Sequence, residues 1–391
     1  MTELKPGWRW VALGDVVDVI TDYWDRDPSR SERYVAGEHI DEGSLRVTRW
    51  GMTDDELVPP TFNRRFKTGD VLFHSRNLRK LAQPGFEGVT GEKIFVLRTR
   101  DPQILRQELL PYLLQVSAFS EYTEKMWAGS TNKFLNKAPL IRYEFALPPL
   151  GEQLEFAYLL KASESTKEVL ENAYACALAV RDRLRLQAGI AAAKTVKLAE
   201  WIVFLTSGSR GWAKYYSEAG DTFLRLGNLN SSTIDLNLAD IQHVQPQNDG
   251  EGERTIVQPD DVLLGITGEA GVGLVAIARD CDDRQFISQH IALIRLDKTK
   301  ASGDFVAHVL AGPFGQRQIW SHNQPSAKAG MTLIAVKEIL MPCLSLEEQK
   351  DWAWKTNQAE AAMIDIEKRL SKCKKLSRIL REACTANDWV E

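Results

Sequence analysis

The chain has 391 residues, 44% hydrophobic and 26% charged, a length that suits two globular domains with connecting helices and a composition that excludes a disordered polypeptide. A net charge of −4 excludes a uniformly basic nucleic-acid binder but leaves room for a basic patch. Five scattered cysteines without a C-x-x-C pair exclude a disulfide framework and a zinc site, and with no apolar leader and no run near the ~20 residues of a membrane span, the protein is expected in the cytoplasm.

The first half opens on Trp8, Arg9, Trp10, Val11, Ala12, Leu13, Gly14 and Asp15, and the second on residues 195–200; each is a short apolar opening that ends in an acid. β-rich runs bounded by turn residues follow at 71–73, 94–97, 143–147, 262–264, 274–278 and 290–294, with one helix-like run per half at 109–125 and 304–318. Pro148 and Pro149 then forbid helix behind them, and no proline interrupts 151–192. This predicts one long helix, on the order of 50 Å at 1.5 Å per residue, ended by Gly189. Leu170, Ala173, Ala177, Val180 and Leu184 step by 3 and 4, a coiled-coil seam that needs a partner helix. The partner opens after Pro342, with Met363, Ile366, Leu370, Cys373, Ser377 and Leu380 at the same steps.

The two halves also share landmarks. The run 67–73 has its echo at 258–264, 94–98 at 291–295, and Glu152-Gln153 at Glu348-Gln349, in unchanged order with offsets of 191, 197 and 196. Such drift is what a tandem duplication with diverged loops leaves. The expected fold is therefore α+β: globular domains at 1–150 and 193–344, and long helices at 151–192 and 345–391 that form an antiparallel coiled coil in a pseudo-two-fold duplicated architecture.

Between residues 61 and 100 there are nine Lys or Arg against three acids, a candidate phosphate-facing surface in an acidic protein. Its candidate contacts are Arg64, Arg65, Lys67, His74, Ser75, Arg76, Asn77, Arg79 and Lys80, which combine cations with an amide, the side chains that read guanine and adenine edges. A solvated loop with ordinary surface charges is the equal alternative. In the second half the expected counterpart is the glycine-flanked run with Ser207, Ser209, Arg210, Trp212, Lys214, Tyr215 and Tyr216, although core packing is the stronger reading for Trp212 alone. Two amide-rich loops, one with Ser130, Thr131, Asn132 and Lys133 and one with His322, Asn323, Gln324 and Lys328, precede the two long helices. Such loops usually solvate a turn; their pairing in a repeat points both at one kind of ligand.

Enzyme signatures are absent from the sequence. The glycine-rich run 268–273 lacks the Gly-Lys-Ser/Thr of a phosphate-binding loop and reads as a tight turn or strand bulge. Leu147 stands where an amino-methyltransferase motif ahead of Pro148-Pro149 would carry a polar residue, and the six histidines show no metal-ligand spacing. A nuclease would need a carboxylate cluster that the sequence does not offer. The expectation is a non-catalytic binding protein.

The joint order of these features resembles the specificity (S) subunits of Type I restriction-modification systems, over essentially the whole chain. The resemblance is carried by the duplicated plan, the proline and Glu-Gln helix openings at 148–153 and 342–349, the loop 129–136, and the stretches 69–76 and 207–212. It implies two target-recognition domains that each read half of a bipartite site in double-stranded DNA, with the long helices as a ruler between them. It also implies docking of two methyltransferase (M) subunits on those helices, with a translocating nuclease (R) subunit as a further partner. S-adenosylmethionine, ATP and Mg²⁺ would belong to those partners, with no cofactor on this chain. The second half departs from the family pattern, since residues 341–344 replace a double proline and 330–333 a fuller Gly-Ser-Thr loop. The reading from another class is a DNA-independent coiled-coil scaffold or protein-interaction adaptor, which would show no salt-dependent affinity for duplex DNA.

Overall fold

The computed structural model of the protein describes residues 4–25, 27, 30–54, 58, 61–129, 133–191, 194–246, 252–268, 270–279, 283–322 and 330–385. The chain forms two compact units, one from Met1–Val169 with Arg369–Glu391 and one from Leu170–Lys368, so each unit takes part of both long helices. The fold is α+β, as expected, with helices Leu150–Ala191 and Leu346–Ala383 as its longest elements.

In the first unit, Arg9–Ala12 pairs antiparallel with Glu144–Leu147. A four-stranded sheet then runs in the order Val17–Ile20, Ile94–Thr99, Val71–His74, Leu81–Ala82. A second runs Gly51–Met52, Arg33–Val35, Gly88–Gly91, Phe62–Phe66, with one parallel pair between Arg33–Val35 and Gly88–Gly91. The second unit repeats the pair and the first sheet, and its other sheet keeps three of the four strands in place with the fourth at the opposite edge. Thr195–Lys197 pairs with Leu340–Pro342, and a four-stranded sheet runs Ile202–Ser207, Ile291–Leu296, Val262–Gly265, Val275–Ile277. Its other sheet runs Tyr216–Ser217, Gln242–Val244, Asp221–Leu224, Gln285–Ile287, again with one parallel pair, Asp221–Leu224 with Gln285–Ile287.

The sequence dictates the central strands through alternation. Val71, Phe73, Phe95 and Leu97 enter one apolar cluster while Leu72, Ile94 and Val96 enter another, so these strands are buried on both faces. In the second unit Val262, Leu264, Ala292 and Ile294 face one cluster, and Leu263, Ile291 and Leu293 face the other.

The sequence offsets reappear as matching hydrogen bonds. Asp70 accepts from Arg98 Nε and Nη2, both at 2.7 Å, and from the Lys67 amide at 2.7 Å. Asp261 accepts from Arg295 Nε at 2.8 Å, Arg295 Nη2 at 2.7 Å and the Gln258 amide at 2.8 Å. Each fork holds the turn before a central strand to the next strand. Gln153 donates to the carbonyls of Ile104 and Pro148 and accepts from the Arg106 amide. Gln349 donates to Lys300 and Leu344 and accepts from the Ser302 amide, the same three bonds 196 residues on. These glutamines lock the start of each long helix to the segment, 104–106 or 300–302, that leads into the shorter helices of the same unit.

Three expectations are corrected. Gly189 does not end the first long helix, which continues to Ala191. The glycine is needed for close approach, because a Cβ there would lie 2.6 Å from Phe314 Cβ. Gly189→Ala is therefore expected to lower the stability of the second unit by about 1–2 kcal/mol, overpacking outweighing the usual helix gain of Ala over Gly, with a fall in melting temperature as the readout. The seam expected at Val180 runs instead through its neighbour: Val180 is exposed, whereas Arg181 and Arg185 are buried. The helix-like runs at 109–125 and 304–318 are each broken into two, as Leu110–Leu113 with Ser117–Lys125 and as Gly303–Ala311 with Pro313–His322.

Seam positions of the C-terminal helix fare better, with Met363 and Ser377 buried and Ile366, Leu370, Cys373 and Leu380 half-buried. Within the second unit, Arg181 meets Met363 and Arg185 meets Glu360, so the two helix segments run antiparallel there. Within the first, Ser163 Oγ lies 3.8 Å from Cys373 Sγ.

Candidate nucleic-acid interface

The stretch after Val71–His74 is organised by His74. Its Nδ1 accepts the backbone amides of Arg76 at 3.1 Å and Asn77 at 3.0 Å, which turns the chain sharply after the strand. Burial, with Lys80, Arg76 and Lys93 nearby, holds the imidazole below its ordinary range, so it stays neutral and accepting at neutral pH. Gly37 fits against this ring because a Cβ there would come within 2.6 Å of His74 Nε2. Lys80 Nζ donates to the Gly37 carbonyl at 2.5 Å, and Asn77 Nδ2 to Glu42 Oε1 at 2.8 Å. Ser75 is buried; its hydroxyl donates to the Lys93 carbonyl, and its own carbonyl accepts the Leu135 amide. His74, Ser75, Asn77 and Lys80 thus build the loop.

The other predicted cations divide the same way. Arg65 pairs with Glu32 at 2.9 Å, Arg64 Nη1 donates to the Ile94 carbonyl at 3.4 Å, and Arg98 and Arg100 pair with Asp70 and Asp18. Lys67, Arg76, Arg79 and Lys93 are exposed, and their side chains take no hydrogen bond or ion pair among the described residues. Lys133 lies 5.6 Å from the Trp127 ring centroid, while Ser130, Thr131 and Asn132 fall outside the described residues.

In the second unit the strand Ile202–Ser207 leads into the predicted loop. Ser209 accepts from Arg254 Nη2 at 3.4 Å, and Arg254 also meets the Thr206 hydroxyl. Arg210 and Lys214 are exposed, the latter 4.6 Å from the Tyr215 ring. Trp212 is core, 6% exposed, stacked on Phe223 at 5.1 Å and packed against Phe286 and Tyr215. It cannot meet a ligand without leaving that cluster, which corrects its place among the contacts. Tyr216 is 44% exposed. His322 ends its helix in an exposed position, and Asn323, Gln324 and Lys328 lie outside the described residues.

The two loops expected to correspond do not. The Ser75 amide donates to the Lys93 carbonyl and its own carbonyl accepts the Leu135 amide; in the second unit Ile266 bonds His290 and Met331 in the same way. The counterpart of the His74 turn is consequently the turn at 265–273, where Gly268 and Gly273 adopt positive φ. That run is the tight turn the sequence suggested. The loop 207–216 instead follows the strand equivalent to Val17–Ile20.

A second correspondence surrounds these turns. In the first unit the Ala36 amide donates to His39 Nδ1 at 3.1 Å, opening a short 3₁₀ turn at Gly37–His39. In the second the Arg225 amide donates to Asn228 Oδ1 at 2.8 Å, opening Leu226–Asn228. The latter turn borders a cleft of about 420 Å³ lined by Tyr216, Phe223, Arg225, Leu226, Ser288 and His290, together with Gly227 and Asp240. Arg225, Ser288 and His290 were not singled out from sequence. For His290 alone the sequence held a signal, the offset of 197 that pairs it with Lys93.

Among the described residues no group of His, Cys, Asp or Glu could hold a metal ion, and no helix is long and apolar enough to cross a membrane. No protein-family model and no curated protein matches the chain. Solved structures do match. The S subunit of a Type I restriction-modification system from M. genitalium aligns over 100% of this chain and 98% of its own, with 14% identity and a TM-score of 0.66. A structure addressing complex assembly and conformational transition of the type I R-M system aligns over 100% of both chains, with 18% identity and a TM-score of 0.50. From end to end, this chain has the fold of a Type I restriction-modification S subunit.

Proposed function

We propose that the chain is the non-catalytic specificity subunit of a Type I restriction-modification complex, which reads a bipartite target in double-stranded DNA with one domain per half-site. The observation that carries this reading is the repeated topology, in which the two-stranded pair and the first four-stranded sheet match strand for strand, in a chain that matches an S subunit over its full length. A protein with two copies of one binding domain is suited to two half-sites, and the exposed cations of the first unit that have no partner among the described residues supply phosphate and base contacts. On this reading the long helices set the gap and receive two methyltransferase subunits, with a nuclease subunit as a further partner. S-adenosylmethionine, ATP and Mg²⁺ act on those partners, in the cytoplasm where host DNA is modified.

The test is co-expression with a methyltransferase subunit encoded beside it, followed by methylome sequencing. Adenine methylation at an asymmetric two-part motif with a fixed gap is the expected result, and a stable complex without a new motif would reject the reading. Binding of the complex to its motif should weaken steeply with salt, by about 10³–10⁵ between 50 and 200 mM if six to ten phosphates are contacted. A flat salt response would favour the protein-scaffold alternative.

A further inference from the structure

Resting on the specificity reading, we propose that the cleft between Tyr216, Arg225 and Ser288 is the base-reading pocket of the second unit, and that Arg225 reads a guanine there. Four observations meet at this place. Ser288 is only 7% exposed, lines the cleft, and its hydroxyl has no hydrogen-bond partner among the described residues. A buried hydroxyl without a partner is costly unless something completes it, and a base edge or a bridging water entering the cleft does so.

Arg225 has the second property a reader needs, a guanidinium that can be released. Its ion pair with Asp240, at 3.2 Å, joins side chains that are 38% and 92% exposed. Such exposed pairs contribute little, so exchange for a better acceptor is cheap. A guanine edge offers O6 and N7 in the spacing of two guanidinium donors, a match that adenine, cytosine and thymine do not present.

The walls are preorganised. His290 is held by Thr267 through Nδ1 and by Gln289 through Nε2, so its ring is fixed and takes no part as a free donor. Phe223 is buried on the stacked Trp212, while Tyr216, which also lines the cleft, leaves an exposed ring. Gly208 lets the predicted loop run close to this floor, since a Cβ there would fall 2.1 Å from the Ile287 carbonyl and 2.4 Å from the Ser288 carbonyl carbon.

The repeat supplies the last observation independently. The cleft's turn at Leu226–Asn228 corresponds to Gly37–His39, and His290 to Lys93. In the first unit Gly37 and Lys93 lie near His74, whose turn carries the exposed Arg76. The two units thus present the same topological site to solvent, with the cation on different strands' ends.

The experiment compares the methylomes of complexes assembled with the full-length chain, with Arg225→Ala and with Ser288→Ala. With Arg225→Ala one G·C position in one half-site is expected to become degenerate, its selectivity falling roughly 5- to 150-fold, while the other half-site and the gap stay unchanged. Ser288→Ala is expected to relax the same or the adjacent position. An unchanged motif with uniformly weaker methylation would make Arg225 a phosphate contact and overturn the pocket alone, as would relaxation in the half-site that Arg76→Ala alters. Absence of any two-part motif with the unaltered chain would overturn both the pocket and the specificity reading.

Discussion

Glu360→Ala is expected to destabilise the second unit by about 3–5 kcal/mol, enough to unfold it near body temperature. Glu360 and Arg185 are each about 5% exposed in their side chains and meet at 2.7 Å. The second Glu360 oxygen accepts the Ile234 amide at 2.7 Å, and Arg185 also contacts His308 Nδ1, whose Nε2 meets Asn357 Oδ1 at 2.7 Å. Both long-helix segments, the Gly303–Ala311 helix and the loop at 234 are tied through this one pair. Its net worth is small, because two ions have left water to form it. Removing one partner leaves the other charged, buried and without a counterion, and that is where the cost arises.

Burial pushes the Glu360 carboxyl above its ordinary range even with Arg185 beside it, and lowers Arg185 and His308, the histidine to about 3. The folded chain therefore retains the Glu360 proton at pH values where the unfolded chain has released it. The stabilisation from this site is full below the ordinary glutamate pKa and declines as pH rises through the raised folded value. Glu360→Gln should be less stable than the unaltered chain yet flatten that decline; an undiminished slope would move the effect to another group. In the first unit the positions 196 residues away are Arg381, Glu164 and Tyr112. There Glu164 pairs with a half-buried Lys167 and Arg381 with Gln115, so Glu164→Ala is expected to cost only about 1 kcal/mol.

This asymmetry shows what the sequence could and could not disclose. The central strands were legible because every position in 71–73 and 94–97 is apolar, and the repeat because Asp70, Arg98 and Gln153 have partners at steady offsets. Arg181 and Arg185 were not. An arginine in a helix reads as surface, and its burial depends on Ser232, His308 and Glu360, which lie 51 to 175 residues away. Val180 fitted the 3-4 stepping equally well and lost its place to Arg181 for that reason. The candidate loops misled in another way. The stretches 74–80 and 207–216 share cations and polar residues, whereas the true topological partner of the first is a glycine turn with a different composition. Similarity of charge indicates similarity of ligand, while position in the fold is set by which amide bonds which carbonyl.

That distinction decides which side chains of the first unit should matter for recognition. Of the nine candidates clustered from Arg64 to Lys80, His74, Ser75, Asn77 and Lys80 spend their polar atoms on the loop itself, and Arg65 on Glu32. Arg76 and Arg79 extend from a turn that His74 fixes, exposed and without partners among the described residues. A cation on a rigid turn reaches a base edge with little ordering cost, so the two together are expected to contribute about 2–6 kcal/mol of discrimination at about 1–3 each. Arg76→Ala with Arg79→Ala should erase one half-site from the methylome and leave the other readable, with the fold intact by thermal melting. Arg210→Ala with Lys214→Ala should damage the opposite half-site. Ser75→Ala provides the contrast, since it should lower stability through the lost bond to Lys93 and weaken the same half-site only in proportion. Loss of both half-sites from the Arg76 and Arg79 pair, in a chain that melts normally, would mean that the two units do not read DNA separately.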